Sequence, residues 1–254
     1  MKSSNPVMSD RVFQSAYTQS PVAESQAADV MTVQGAGIKT AILIALAFVA
    51  AAFSWQTAQQ QPQLVMGYVF GGSIVALILV IVSSFKPTTS PYVAPLYAIA
   101  EGFALGAISM LVANAAPQYA NLPFQAVCLT FGTLFCMAMV YSNGWIKVTD
   151  KLRTGLYAAL GAIFLIYLVS FIVNLFGGTI PYIHGNGIVG IGFSVIVVGV
   201  AAFFLLLDFD FIEKGAQYGA PKYMEWYGAL GLMVTLVWLY LEILRLLMKI
   251  QSRD

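Results

Sequence analysis

Charge is what this chain has least of. Asp, Glu, Lys and Arg make up only 9% of its 254 residues, where a soluble domain carries about 25%. With 59% hydrophobic residues and a mean hydropathy of +0.81, that deficit excludes a soluble globular protein and leaves a polytopic membrane protein. A net charge of +1, with no arginine-rich run and no aromatic platform beside a basic groove, excludes nucleic acid as a partner. Cysteine is nearly absent. Cys128 and Cys136 lie eight residues apart in one expected helix, about 12 Å along its axis, too far to bridge each other. They read as small apolar packing residues, so nothing signals an oxidising compartment. Histidine occurs once, as His184 in a glycine-rich turn. No Gly-x-Ser-x-Gly elbow or His-Glu-x-x-His pair is present, so no enzyme and no resident cofactor are expected. The seventh expected span has no lysine at its middle for a retinal Schiff base, and no Gly-x-Gly-Asp signature of an intramembrane aspartyl protease surrounds Asp208 or Asp210.

Long apolar runs are present in quantity. Crossing the hydrocarbon layer takes about 20 apolar residues, and seven stretches qualify: Ile38–Trp55, Leu64–Phe85, Tyr92–Ala115, Phe124–Tyr141, Thr154–Phe176, Ile188–Ile212 and Met224–Met248. The expected fold is an all-α integral membrane protein in which seven transmembrane helices occupy residues 35–250. A mobile polar tail is expected at 1–34, with no cleavable signal peptide, and a short tail at 251–254. Ser90-Pro91 and Leu122-Pro123 place proline in a first helical turn, where its missing N–H does no harm. Gly177-Gly178 and Gly185-Asn186-Gly187 bracket a turn at Pro181. If the amino terminus lies on one side, nine basic residues share it (Lys2, Arg11, Lys39, Lys86, Lys147, Lys151, Arg153, Lys214, Lys222), against Arg245, Lys249 and Arg253 on the other. That asymmetry predicts a cytoplasmic amino terminus. The basic end of the last span pulls the other way, so a last helix that re-enters or stops short is the alternative. Trp55, Tyr92, Tyr141, Trp145, Tyr223, Trp226 and Tyr227 fall near span ends, as interfacial aromatics do. Small residues four apart, Gly102 and Gly106, Ala47 and Ala51, Gly155 and Ala159, mark places where helices can touch closely.

The costly residues are acids. A charge at mid-bilayer costs roughly 2.5–3.5 kcal/mol on insertion scales, so such a residue faces the bundle interior, a partner or water. Glu101, Asp208, Asp210, Glu213 and Glu242 are five of the eleven carboxylates, and all lie inside or at the ends of expected spans. Glu101 sits about 15 Å past Pro91, near mid-membrane. Asp208 and Asp210 are about 200° apart around a helix, whereas Asp210 and Glu213 share a face. The expectation is that Asp208 looks inward and the other two towards a water-filled mouth, where Lys214 can neutralise them, or the reverse. Glu242 has Arg245 one turn away as an ion-pair partner. Two carboxylates close together in a low dielectric cannot both ionise easily, which makes a proton sensor, and when ionised their hard oxygens suit Ca²⁺.

Three segments carry a resemblance: Glu101-Gly-Phe-Ala-Leu-Gly-Ala-Ile-Ser109, Leu-Leu-Asp208-Phe-Asp-Phe-Ile-Glu213, and Trp226-Tyr-Gly-Ala-Leu-Gly with Trp238-Leu-Tyr-Leu-Glu-Ile-Leu-Arg-Leu-Leu247. In order and spacing they resemble the Bax inhibitor-1 family, most nearly its bacterial, YccA-like branch, over roughly residues 38–250. The resemblance implies a bundle wrapped around its last helix in a bacterial inner membrane. It also implies a pH-sensitive calcium leak, with Asp208 as the sixth-span acid of a gating pair. Leu-Tyr-Leu-Glu242 resembles the seventh-span motif but lies 34 residues beyond Asp208, so a residue near Thr235 is nearer in depth, and Glu101 or Glu213 is an alternative partner. On this reading Asp208 and Glu242 are the calcium ligands, and lipid, Ca²⁺ and protons are the partners. The competing reading is a non-conducting regulator that docks on a membrane-bound quality-control protease through its amino-terminal tail.

Overall fold

The structure is a computed structural model and describes residues 30–177, 185 and 187–252. Most of the expected tail, together with Lys2, Arg11, Pro181, His184, Asn186 and Arg253, lies outside the described residues. Among the described residues there is no strand, and seven helical spans are long and apolar enough to cross a membrane. The helices are α1 (Val33–Gln60), α2 (Gly72–Phe85), α3 (Ser90–Ala115), α4 (Leu122–Ser142), α5 (Asp150–Leu175), α6 (Ile188–Gln217) and α7 (Met224–Gln251).

Local chemistry places their ends. Thr32 caps α1 by accepting from the Gly35 amide at 2.9 Å, and Thr149 caps α5 by accepting from Leu152 N at 3.2 Å, satisfying amides that a helix start leaves open. Three connections open on proline in a single 3-10 turn, Pro62–Leu64, Pro87–Thr89 and Pro117–Tyr119, and proline at such a start gives up no needed donor. The second span runs through a π-helical turn, Gly67–Gly71, before α2. Gly219, at φ +67°, turns the chain between α6 and α7 in a conformation that side chains with a Cβ disfavour. The last helix is continuous for 28 residues, or about 42 Å, long enough to cross a membrane.

Contacts group the chain into two compact units. The first comprises the described residues through Leu111 together with Asp208–Val234. Here α1 and α3 meet backbone to backbone. A Cβ on Gly102 would lie 2.5 Å from the Ala47 carbonyl and 2.8 Å from Ala50 Cβ, and one on Gly106 would run into Ala51 O and Ser54 Oγ. The two small pairs expected from sequence are therefore each other's partners. Gly72 meets the Ala100 carbonyl in the same way, at 2.6 Å. Tyr68 stacks on Phe103 at 5.4 Å, and Ser83 and Ser90 exchange a buried hydroxyl hydrogen bond of 2.8 Å. The second unit comprises Val112–Leu207 and the chain from Thr235. Its core is Leu156, Phe204 and Leu207, with Tyr157 and Trp238 each edge-on to Phe204 at 5.7 and 5.8 Å.

Three expectations need correction. Cys128 and Cys136 are free thiols, but both are exposed rather than packed. They sit in a span whose most apolar stretch is only 11% buried, and an apolar side chain suits a membrane-facing surface as well as a core. Gly155 has nothing within 4 Å of the place a Cβ would take and marks no helix contact. Tyr227, near the start of α7, does not face outward: it is fully buried against Phe211, at 6.0 Å between ring centroids. Burial is highest in α7, at 61% of its most apolar stretch, followed by the third span at 56%.

These glycines separate experimentally. Gly106→Val should lower stability by about 1–3 kcal/mol through overpacking against α1, whereas Gly155→Ala should raise it by about 0.5–1 kcal/mol through helix propensity alone. Thermal unfolding in detergent, followed by fluorescence, checks both signs.

Candidate functional site

Ionisable side chains cluster in each unit. In the first, α6 ends in the acidic run. Asp208 is 3% exposed and Asp210 is 6% exposed, although they point to different sides of the helix. Both are buried because the whole turn around them, Leu205–Ile212, is enclosed apart from a half-buried Phe209. Lys214 Nζ donates to Asp210 Oδ2 at 2.7 Å, the neutralisation that the sequence allows. Glu213 is half-buried and accepts from Gln217 Nε2 at 3.2 Å. Glu101 also belongs to this unit, half-buried near the middle of α3 and one turn beyond the buried Tyr97. No hydrogen bond or ion pair to it is found among the described residues.

Sequence reasoning missed the most heavily engaged acid of this unit, Glu225. It lies in the first turn of α7 and is fully buried. Its Oε1 accepts from Thr32 N and Thr32 Oγ1, both at 2.9 Å, and from Lys222 Nζ at 2.9 Å. Its Oε2 accepts from Lys39 Nζ, whose ammonium also lies 5.6 Å from the Trp226 ring centroid. Gly35 makes this possible, because a Cβ there would occupy the space of the Glu225 carboxylate. In sequence, Glu225 reads only as an acid suited to the positive end of a helix dipole. Lys222 at i−3 was the one local hint, and the partners on α1 are 186 and 193 residues away.

In the second unit, Glu242 does pair with Arg245, as its spacing predicts. Arg245 Nη1 lies 2.7 Å from Oε1 and 2.9 Å from Oε2. Tyr167 on α5, also missed from sequence, donates to the same carboxylate at 3.1 and 3.2 Å, while Arg245 Nη1 lies 2.7 Å from its hydroxyl. The guanidinium sits over the Tyr167 ring, 5.2 Å from its centroid. Both Glu242 oxygens are thus already engaged. Two turns on, Lys249 is buried, with Nζ donating to Ser194 Oγ at 2.9 Å and to Gly190 O at 3.1 Å at the start of α6.

Of the two acids that the resemblance implies as calcium ligands, Asp208 belongs to the first unit and Glu242, which pairs with Arg245, to the second. Among the described residues no three His, Cys, Asp or Glu side chains gather as a metal site.

Removing one partner of the Glu242 pair strands the other. Arg245→Gln should destabilise the protein by about 1–3 kcal/mol, discounted from a fully buried pair because the arginine side chain is 40% exposed. Glu242→Gln combined with Arg245→Gln should recover part of that loss. A double-mutant cycle on detergent unfolding midpoints measures the coupling, and strict additivity would show that the pair does not interact.

The chain was compared with known proteins. No curated protein and no solved structure matches it significantly. The family described as Bax inhibitor 1 like matches residues 5–252, nearly the whole length, and includes all three segments on which the resemblance rested. With seven membrane-length helices and this match, the chain belongs to the Bax inhibitor 1 like family of membrane proteins.

Proposed function

We propose that this protein is a pH-sensitive, cation-permeable leak, non-enzymatic, with Ca²⁺ as its cargo and Asp208 as the gate-side acid. The observation that carries the reading is the burial of Asp208 in the middle of the apolar run Phe203–Ile212. A carboxylate in such a place is functional by default in a membrane protein, because its dehydration has to be offset by something the site does. Glu101 is its titrating partner rather than Glu242. Glu101 shares the first unit with Asp208 and lacks an ion pair among the described residues, whereas Glu242 is held by Arg245 and Tyr167. An acid without a dedicated cation changes charge with pH, and a change of charge alters how readily a cation enters.

The topology that goes with this reading has seven crossings, a cytoplasmic amino terminus and a bacterial inner membrane as its location. Lys39, Lys214 and Lys222 all lie on the cytoplasmic side, in accord with the distribution of basic residues along the chain. The carboxyl terminus then lies on the opposite side.

The test is flux from calcium-loaded vesicles containing the purified chain, measured across pH. The wild type should leak Ca²⁺ at a rate that varies with pH, and Asp208→Asn, which cannot titrate, should flatten that profile. Glu101→Gln should shift or flatten it as well, while Glu242→Gln should leave its shape intact. A leak identical in wild type and Asp208→Asn overturns the reading. No flux in any variant, together with capture of a membrane-bound protease that is lost when residues 1–29 are deleted, would instead establish the non-conducting regulator.

A further inference from the structure

The first unit is closed at its lysine-rich end by a short piece of chain. Residues Val30–Thr32 run extended into α1 and lie across the α6–α7 connection. Val30 forms an isolated antiparallel bridge with Pro221, and Met31 N donates to Ala220 O at 2.7 Å. The Met31 side chain is buried among Ala36, Phe211, Ile212, Ala220, Met224 and Tyr227. Phe211 and Ile212 form the turn of α6 that directly follows Asp208, so Met31 plugs the structure one turn away from the acid.

Two features distinguish this closure from an ordinary piece of core. Among the described residues its backbone attachment is a single bridge, and what secures it there is the set of bonds from Thr32 and Lys39 to Glu225. That clasp lies at a rim where the Lys222 side chain is 45% exposed. Beneath the plug, the buried Tyr227 hydroxyl has no hydrogen-bond partner among the described residues. A buried hydroxyl without a partner costs free energy that water would restore, so the closed arrangement already holds a group that gains when this end opens.

We propose that Val30–Lys39 is a releasable strap, with Glu225 as its clasp, whose opening admits water beneath Met31 to Tyr227 and to the turn that carries Asp208. Water at Asp208 is what its ionisation and any cation passage require. The consequence for flux rests on the leak reading above, whereas the opening itself does not.

Two variants of the full-length protein in lipid vesicles test it, in a background carrying Cys128→Ala and Cys136→Ala. Glu225→Gln removes both ion pairs of the clasp, and Val30→Cys with Pro221→Cys places two thiols across the antiparallel bridge, close enough to form a disulfide when oxidised. Hydrogen–deuterium exchange should show the Met31 amide and the first turns of α7 exchanging about tenfold faster or more in Glu225→Gln, since a broken buried ion pair strands its partner. The oxidised cysteine pair should slow that exchange relative to the reduced pair and lower calcium efflux. Unchanged exchange in Glu225→Gln, or equal exchange in the oxidised and reduced pair, overturns the strap. Exchange that follows the clasp with no flux in any form supports the strap and overturns the leak. Flux that is present but identical in the oxidised and reduced pair overturns the strap as a gate while leaving the leak intact.

Discussion

A carboxylate cannot remain charged in hydrocarbon without a substitute for water, and the arrangement of this protein follows from how each acid meets that demand. Glu225 takes two ammonium groups and both donors of Thr32. Asp210 takes Lys214, and Glu242 takes Arg245 with a tyrosine hydroxyl. Each of these three carboxylates thus has a cationic side chain beside it. Arg245 suits its post for a further reason: a planar guanidinium can meet a carboxylate, a hydroxyl and a ring face together, as a lysine cannot. Glu101 is the contrasting case, half-buried in α3 with no ion pair found among the described residues, which is why the proposed leak assigns it the pH response.

Apolar burial cannot organise the bundle as it does in water, because lipid tails satisfy an isoleucine as well as a core does. Close backbone contact takes its place. Gly102 and Gly106 bring α3 onto Ala47, Ala50 and Ala51 of α1, and Gly72 sits against Ala100. An ion pair joins α1 to another helix: the start of α1 is held to the start of α7 by Glu225, and Gly35 does for that contact what Gly106 does for the contact of α3 with α1. Glycine therefore serves two purposes on α1 and α3, one for packing and one for seating a charge.

This division explains what was legible in the sequence. The seven spans could be read because each is a run of apolar residues bounded by proline, glycine or polar turns, and these are local signals. The Gly102/Gly106 and Ala47/Ala51 contact and the Glu242–Arg245 pair were also local, visible as spacings of three and four. Which way a membrane helix faces was not legible. Cys128, Cys136 and Gly155 look no different in lipid than in a core, because amphipathic periodicity vanishes when both surroundings are apolar. Tyr167 and the clasp on Glu225 were hidden for a different reason. Each joins residues far apart in the chain, and a lone acid in a first helical turn has a sufficient local explanation in the helix dipole.

The position of Glu225 has a consequence for the whole helix above it. α7 begins in the first unit, where its first turn is fastened by ion pairs, and ends in the second, where Lys249 is fastened to Ser194 and Gly190. Charges thus hold both termini of the most buried helix, while its middle, from Tyr227 to Tyr240, contains no Asp, Glu, Lys or Arg. A helix held by separate polar contacts at its two ends can let water reach one end without losing its hold at the other. Local opening draws on the least cooperative contacts first, and at the α1 end those are one isolated backbone bridge and a clasp whose Lys222 stands partly in solvent. The other terminus is secured by a lysine that is itself buried. The asymmetry between a clasp whose Lys222 is part-exposed and a fastening whose lysine is buried is what the proposed strap draws on.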